Sequence, residues 1–271
     1  MLDEVHPAGD SKRRIYRWIE KKAVKYASVC CFTTIGAMQA YKACYPKLTE
    51  ARCRVISNGY DELDFVNLPS AQNAVKTQGN KLKLRLLHSG TLYPLERDPT
   101  CFFEALAILF SEGIISPDKI DIMLRATGHD GQIQQLIDQF GLEGTVKLLP
   151  AIDRHEALSE LFDVDGLLLL QAKNCNHQIP AKTYEYLRSE KPIFAMTDYQ
   201  GDTAQLLRSV GVDNIVPLDD AQHIAQQLGQ YIRMLLKKEA LCYPIHEVRR
   251  FSRECQTIEL AAILDVLGHE K

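Results

Sequence analysis

A short polar segment in the second half of the chain has the residue types and spacing of an anion-binding site. Pro180, Lys182 and Glu185 follow the apolar segment Gly166–Leu170, which is typical of a buried strand. Proline is favoured in the first turn of a helix, so a helix is predicted to begin close to Ile179. The sequence therefore places a lysine in the first turn of a helix that follows a strand.

Helix geometry assigns the two charged residues to one face of this predicted helix. At about 100° per residue, Lys182 and Glu185 lie opposite Tyr184 and Leu187, which can pack on a sheet. The free N–H groups and the dipole at the start of such a helix favour an anion. Two interpretations fit the pattern: an anion site, or a surface helix on which Lys182 and Glu185 form an i,i+3 ion pair.

Composition limits the classes of protein and of partner. The 271 residues are 46% hydrophobic, enough for a large core, and the net charge is −3, so no overall basic field favours nucleic acid. The sequence has no run of about 18 uncharged apolar residues, which argues against a membrane span but leaves peripheral membrane contact open. The polar N-terminus lacks the features of a signal peptide, and we therefore expect a cytoplasmic protein.

The cysteine pattern agrees with that location and does not indicate a metal site. None of the eight cysteines forms a C-x-x-C pair and several lie in apolar segments, so reduced, buried thiols are expected. Cys175 and His177 lie in the loop before the predicted helix, but two ligands are too few for a zinc site. No metal site is predicted.

From residue 83 onward, strand and helix patterns alternate. Short apolar runs predict strands over 83–88, 120–125, 146–149, 166–170, 193–196 and 214–216. Amphipathic patterns predict helices over 99–112, 130–140, 154–162, 180–190, 202–209 and 220–238. Six strands that are each followed by a helix indicate an α/β fold with a doubly wound parallel sheet, in which ligands bind beyond the carboxyl ends of the strands.

The residues before this alternation form a separate group of predicted elements. Helices over 12–26 and 35–45 and strands over 28–33 and 54–57 are followed by a turn signal at 58–61. The first helix carries an apolar stripe with Ile15, Trp18 and Ile19, which needs a partner. A polar stretch over about 68–81 is the predicted domain boundary.

The loop after residue 88 offers groups for a phosphorylated ligand. Gly90 can let the backbone approach a ligand, Thr91 can donate a hydroxyl, and Arg97 can bind phosphate with two hydrogen bonds. Alternatively, the segment around Asp98 is a plain helix start. The chain lacks the G-x-G-x-x-G and G-x-x-x-x-G-K-[ST] motifs, which argues against NAD binding and P-loop chemistry, and it lacks a Ser-His-Asp set.

Three segments resemble motifs of one enzyme family. Residues 179–192 resemble the donor-binding segment of retaining GT-B glycosyltransferases of the "group 1" family, in which a helix carries lysine and glutamate ahead of a Lys-Pro strand entry. Residues 88–93 with Arg97 resemble the first loop of that family's C-terminal domain. Residues 55–61 are similar to its interdomain hinge. The resemblance covers nearly the whole chain, with the motifs in the right order.

This resemblance implies a metal-independent, retaining transfer of a sugar from a nucleotide-diphosphate sugar to a glycan or lipid-linked acceptor, as in polysaccharide biosynthesis. It assigns neutralisation of the diphosphate to Arg97 and Lys182 as catalytic residues, and contact with the ribose hydroxyls to Glu185. The other donor-binding residues are Gly90, Thr91, Gly128, His177 and Pro180. The nucleotide sugar is the substrate, and no cofactor is implied.

The resemblance also implies how the chain is divided. Residues 1–67 correspond to a remnant of the acceptor-side domain and its hinge, 82–245 to the Rossmann-like nucleotide-sugar domain, and 246–271 to a C-terminal helix that returns to the N-terminal part. The residues expected on one side of that helix are Phe251, Cys255, Ile258, Ala262 and Leu264. This side is the expected partner of the apolar stripe on the first helix.

The chain departs from the family pattern in two respects. Family members often carry a glutamate eight positions before Glu185, where this chain has His177. Most of the acceptor-side domain is missing, so a separate N-terminal domain or subunit is an expected partner. Two alternatives stand beside the transferase: a non-catalytic nucleotide-sugar-binding or partner subunit, and a GT-B sugar-nucleotide epimerase.

Overall fold

Six parallel strands form the main sheet of the protein, for which a computed structural model describes residues 11–68, 83–237, 239 and 244–269. They are β3 (Leu84–Ser89), β4 (Ile120–Arg125), β5 (Val146–Leu149), β6 (Gly166–Leu170), β7 (Ile193–Met196) and β8 (Ile215–Val216). Their order across the sheet is β5-β4-β3-β6-β7-β8. This is the order of doubly wound nucleotide-binding folds, and the predicted α/β class is confirmed.

Helices cover both faces of this sheet. They are α3 (Thr100–Ser111), α4 (Asp130–Gln139), α5 (Arg154–Asp163), α6 (Lys182–Arg188), α7 (Asp202–Ser209), α8 (Ala221–Leu236) and α9 (Ile245–Val248). Leu86 and Leu168 belong to a core shared with α3, α4 and α8, whereas Leu87 and Leu167 belong to a second core shared with α5, α6, α7 and α9. Successive strand residues face opposite sides, so both faces of the sheet are buried, as continuous apolar runs predict.

The helix that carries the predicted site begins later than the sequence pattern predicts. Its first residue is Lys182, because the residues before it form a tight turn. Thr183 N donates to Pro180 O over 2.9 Å, and Tyr184 N donates to Ala181 O over 3.2 Å. These bonds span three residues rather than the four of an α-helix. The lysine stays in the first turn, and Tyr184 is buried as predicted.

The chain divides into two compact units, Asn58–Thr257 and a smaller unit made of Met1–Ser57 with Ile258–Lys271. The smaller unit contains α1 (Ser11–Tyr26), α2 (Ile35–Cys44), the parallel pair β1 (Cys30–Phe32) and β2 (Cys53–Val55), and the later residues of α10 (Arg253–His269). The predicted domain limits at 67, 82 and 245 stay a prediction. Residues 69–81 of the predicted boundary lie outside the described part of the chain.

The apolar stripe on α1 does not have the partner predicted from the sequence. Ile15 is 57% exposed, Trp18 62% and Ile19 49%, so the prediction that α10 covers them is wrong. Ile258 and Leu264, expected on the covering side of α10, are also exposed. Of the residues expected on that side, Ala262 instead lines a cavity of about 560 Å³, together with Ile263 and Val266 of α10 and with Val29 and Ala51.

Glycine is needed at position 59 for a different reason from the turn that the sequence indicates. The Asn58-Gly59 pair indicates a turn, but Gly59 does not adopt a positive φ. A Cβ atom at this position would lie 2.1 Å from Phe251 O. The next residue, Tyr60, donates its N–H to the same oxygen over 3.2 Å and forms a parallel bridge with Ser252. Glycine is therefore required here for close approach of two backbone segments.

The described residues also bear on the expectations for the cysteines and for a membrane span. None of the described cysteines forms a disulfide, but only Cys53 and Cys175 are buried, so the expectation of buried thiols is wrong for the other described cysteines. Of the helices that the structure describes, none has the length and apolar character needed to cross a bilayer.

Candidate functional site

The strand order creates a crevice between β3 and β6. These strands are neighbours, but the chain continues from β3 to β4 and β5 on one side and from β6 to β7 and β8 on the other. In open α/β sheets the loops diverge beyond such a switch point, and ligands bind between them. His88 and Ser89 end β3, and the loop 171–179 leads from β6 to α6. The two segments predicted to hold a ligand therefore meet at this crevice.

His88 is fully buried and connects the two sides of the crevice. Its Nδ1 lies 2.9 Å from Leu168 O, and its Nε2 lies 3.0 Å from Lys182 Nζ. A carbonyl oxygen can only accept, so Nδ1 carries the proton and Nε2 accepts a hydrogen bond from the lysine ammonium. Burial, followed by the charge of Lys182, holds the pKa of His88 well below its usual range, which keeps the ring neutral.

Lys182 is a cation in surroundings that disfavour positive charge. Burial, followed by the nearby guanidinium of Arg97, lowers the pKa of the ammonium from 10.5 to about 7, while Glu185 acts in the opposite direction. A bound anion would raise this pKa again, because an opposite charge favours the protonated form. A lysine with a strongly lowered pKa in a crevice is often part of a functional site.

Arg97 is held beside this lysine by the loop that follows β3. Its guanidinium donates to Thr91 O over 2.8 Å and lies 5.3 Å from the ring centre of Tyr93. The same loop is fastened to the loop after β6, because Ala172 N donates to Glu96 O over 2.6 Å. The guanidinium is therefore held by its own loop, and a backbone hydrogen bond ties that loop to the other side of the crevice.

Two glycines with positive φ leave space for site side chains. Gly90 has a φ of 111°, and a Cβ atom there would lie 3.0 Å from Lys182 Nζ. Gly128 has a φ of 74°, and its Cβ would lie 3.1 Å from Thr91 Cγ2. Positive φ favours glycine at both positions. The absence of a side chain at Gly90 lets the lysine ammonium lie against the backbone.

Glu185 forms an ion pair that was not predicted. Its Oε1 lies 3.0 Å from a guanidinium nitrogen of Arg154, and that nitrogen also lies 2.6 Å from Asp64 Oδ2. Within the described structure, Lys182 reaches His88 instead, so the alternative of an i,i+3 ion pair between Lys182 and Glu185 is not realised. The Glu185 side chain remains 23% exposed.

A buried glutamine fixes the path of the loop that leads into α6. Gln171 Nε2 donates to Cys175 O and to Gln178 O, both over 2.9 Å. His177 lies half-buried in this loop, with its Nε2 3.5 Å from the Gln178 amide nitrogen. Pro180 is buried at the end of the loop. The position of α6 therefore depends on hydrogen bonds made inside the loop.

The structure brings the two predicted catalytic residues together, and their roles stay predictions. Lys182 and Arg97 are electrostatic neighbours, and Gly90 lies directly under the lysine ammonium. The site residues that were not predicted are His88, Arg154, Gln171 and Tyr186, whose hydroxyl accepts from Ser89 N over 2.9 Å. His88 and Gln171 could have been recognised from the sequence as candidate site residues, because each is a polar residue at the end of an apolar strand.

The architecture with this switch-point crevice is that of GT-B glycosyltransferases, which confirms at the level of the fold the resemblance seen in the motifs. HepE from Anabaena, in complex with UDP and glucose, superposes with a TM-score of 0.73 at 18% identity over 98% of this chain and 70% of its own. Sucrose-phosphate synthase from Thermosynechococcus elongatus gives 0.68 at 15% identity over 100% of this chain and 66% of its own.

The same fold is present in α,α-trehalose 6-phosphate synthase from Burkholderia multivorans, with a TM-score of 0.67 at 12% identity over 97% of this chain and 65% of that one. No protein-family model and no curated protein matches the sequence. The chain spans about two thirds of the length of these three structural neighbours.

The ligand-free protein should become more stable as the pH rises above about 7, because of Lys182. Its pKa is 10.5 in the unfolded chain and about 7 in the fold, so between these values the unfolded state binds more protons. Lys182→Met removes this contribution. The melting temperature of the variant minus that of the wild type should therefore decrease steadily between about pH 7 and pH 9.5.

Thermal melts followed by circular dichroism at several pH values measure this difference. Lys119→Met, at a lysine whose side chain is 62% exposed, serves as the control and should give a difference that does not change with pH. A pH-independent difference for Lys182→Met would contradict the burial of its charge.

Proposed function

We propose that the chain binds a nucleotide-diphosphate sugar in the crevice between β3 and β6 and transfers the sugar to a glycan or lipid-linked acceptor, as a hexosyltransferase. The observation that carries the proposal is a pair of neighbouring cations, Lys182 over Gly90 and Arg97 at Thr91 O. Two neighbouring cations repel each other, so a ligand with two adjacent negative charges is bound most favourably between them. A diphosphate is such a ligand.

This pair of cations also suits the chemistry of sugar transfer. When the bond between the sugar and the phosphate breaks, the leaving diphosphate gains negative charge. Lys182 and Arg97 are positioned before the reaction, so they stabilise that charge more in the transition state than in the ground state. In well-studied electrostatic sites one such group contributes about 2.7–4 kcal/mol. We infer that these side chains can neutralise the diphosphate without a metal.

The remaining donor contacts follow from the position of the diphosphate. We assign the ribose hydroxyls to Glu185, whose carboxylate is partly exposed on the same face of α6 as Lys182. Gly90 and Thr91 lie on one side of the crevice, and His177 and Pro180 lie on the other. Gly128 supports Thr91 from the loop after β4. HepE has been crystallised with UDP-glucose, which makes that compound a suitable first probe.

A second candidate is a subunit that binds the nucleotide sugar without transferring it. His177, at the position where members of the resembled family often carry a glutamate, favours this alternative. For transfer, we propose that a separate N-terminal domain or subunit supplies the acceptor side. We further propose that the transfer retains the configuration of the sugar and serves polysaccharide biosynthesis.

We also propose a cytoplasmic location, and peripheral membrane contact through α1, whose sequence has seven basic residues and one acidic residue.

Nucleoside diphosphates should raise the melting temperature, because they bind the folded crevice and not the unfolded chain. A ligand at 100 times its Kd contributes about 2.7 kcal/mol, which corresponds to several degrees for a chain of this size. Melting is measured with the diphosphates of uridine, guanosine and adenosine, with UDP-glucose and with pyrophosphate. Unchanged melting across this panel would refute the proposed function. Binding of UDP-glucose without release of glucose to any acceptor would favour the second candidate.

Glu185→Ala should weaken a nucleoside diphosphate about tenfold and pyrophosphate less than about twofold, since it removes the ribose contacts and leaves Lys182 and Arg97 in place. Arg154→Met is the matched control, because it breaks the ion pair of Glu185 but keeps the carboxylate. This variant should bind the nucleoside diphosphate at least as well as the wild type. Isothermal titration calorimetry measures both ligands. Equal losses of both ligands in Glu185→Ala would show that Glu185 does not contact the ribose.

A further inference from the structure

His88 makes a hydrogen bond to each side of the crevice. Leu87 pairs with Leu167 in the register of β3 and β6, so His88 and Leu168 follow directly beyond this pair. Here the side chain of His88, through Nδ1, reaches Leu168 O over 2.9 Å. Its other nitrogen, Nε2, is directed at Lys182 Nζ over 3.0 Å. The contact with the strand therefore determines which nitrogen faces the lysine, and in which protonation state.

The charged groups around Lys182 do not hold it in place by themselves. Arg97, on the loop after β3, repels the ammonium. Glu185, on α6, attracts it, but the carboxylate is bound by Arg154 of α5. His88, on β3, provides the hydrogen-bond acceptor for the ammonium in the described structure. The position of the cation thus depends on a neutral group.

A neutral acceptor suits a lysine that must bind an anion. A carboxylate at the position of His88 would hold the ammonium more strongly, but it would also cancel the charge and repel a diphosphate. The imidazole lone pair favours the ammonium form and fixes one of its three N–H bonds. The other two remain for a ligand. Gly90 completes the arrangement, because a side chain there would meet the ammonium.

We propose that His88 is a positioning residue that holds the Lys182 ammonium over Gly90 and directs it at the place where the diphosphate of a nucleotide sugar binds. The identity of the ligand rests on the proposed function, whereas the link between His88 and Lys182 rests on the geometry alone. His88 does not touch the substrate in this arrangement. It acts through the lysine.

Two substitutions at this position separate the link to Lys182 from the link to the strand. His88→Asn keeps a donor close to Nδ1 for Leu168 O, but its side chain is too short to reach the lysine. His88→Gln places an amide oxygen near the position of Nε2 and restores an acceptor. Both variants lose the imidazole ring and replace it with an amide. A difference between them therefore reports on the contact with Lys182 rather than on packing.

The first readout is the pKa of Lys182 in the ligand-free protein, measured by NMR on protein labelled at the lysine side chains. The signal is assigned by its loss in Lys182→Met. His88→Asn should shift the titration midpoint to lower pH, because the ammonium loses its acceptor. His88→Gln should keep the midpoint close to that of the wild type. An unchanged midpoint in a folded His88→Asn protein would overturn the proposal.

The second readout is the affinity for pyrophosphate at about pH 7, by calorimetry in a double-mutant cycle. His88→Asn should weaken binding about tenfold, which is the scale of one hydrogen bond to a charged group, and His88→Gln less than about threefold. In the Lys182→Met background, His88→Asn should change the affinity less than about twofold, since the lysine carries the effect. An equal loss with and without Lys182 would overturn the proposal.

The two readouts separate this proposal from the proposed function. If the wild type binds neither pyrophosphate nor any nucleoside diphosphate, the proposed function fails, and the NMR titration still decides whether His88 holds Lys182. If the ligands bind but His88→Asn and His88→Gln behave alike in both readouts, the positioning role fails and the proposed function stands. A lower midpoint in His88→Asn that His88→Gln restores supports the role of His88.

Discussion

The hydrogen bond between His88 and Lys182 determines where the cation of the candidate site lies. It joins β3, where the histidine is buried, to α6, which follows β6, and so closes the crevice at the switch point of the sheet. The bond holds a cation against Gly90 and next to Arg97, in surroundings that lower its pKa to about 7. An anion between the two cations would relieve this unfavourable electrostatic arrangement, which is the physical basis for the proposed diphosphate ligand.

The scaffold tolerates two adjacent cations because the surrounding structure is extensively buried and bonded. All residues of β6 are buried, and the loops on either side of the crevice are tied to each other through Ala172 and Glu96. The carboxylate that could neutralise the lysine, Glu185, is drawn to Arg154 instead. The two neighbouring cations therefore make the fold less stable than it would be if a carboxylate neutralised Lys182. Such a loss of folding stability is common where side chains are arranged for binding or catalysis.

Most of the fold could be predicted from the sequence, because parallel strands buried on both faces leave uninterrupted apolar runs with turns between them. The candidate site was predictable in part. The periodicity of one helix places Lys182 on the face opposite Tyr184 and Leu187, but the neutral histidine that holds it lies 94 positions earlier. No local pattern reveals such a contact. The same limit applies to Arg154, and to Gly59, where close approach of a distant backbone segment decides the residue type.

Proton uptake on binding of UDP-glucose reports directly on the charge that Lys182 gains beside a bound diphosphate. In this ligand both phosphates are esterified, so the diphosphate does not titrate between about pH 6 and pH 9, whereas free Lys182 has a pKa of about 7 and must be charged in the complex. Calorimetry at about pH 8, in two buffers that differ in ionisation enthalpy, counts the protons. We expect uptake of nearly one proton by the wild type, almost none at about pH 6, and none by Lys182→Met. Binding without proton uptake at pH 8, or uptake that persists in Lys182→Met, would show that Lys182 is not the cation that meets the diphosphate.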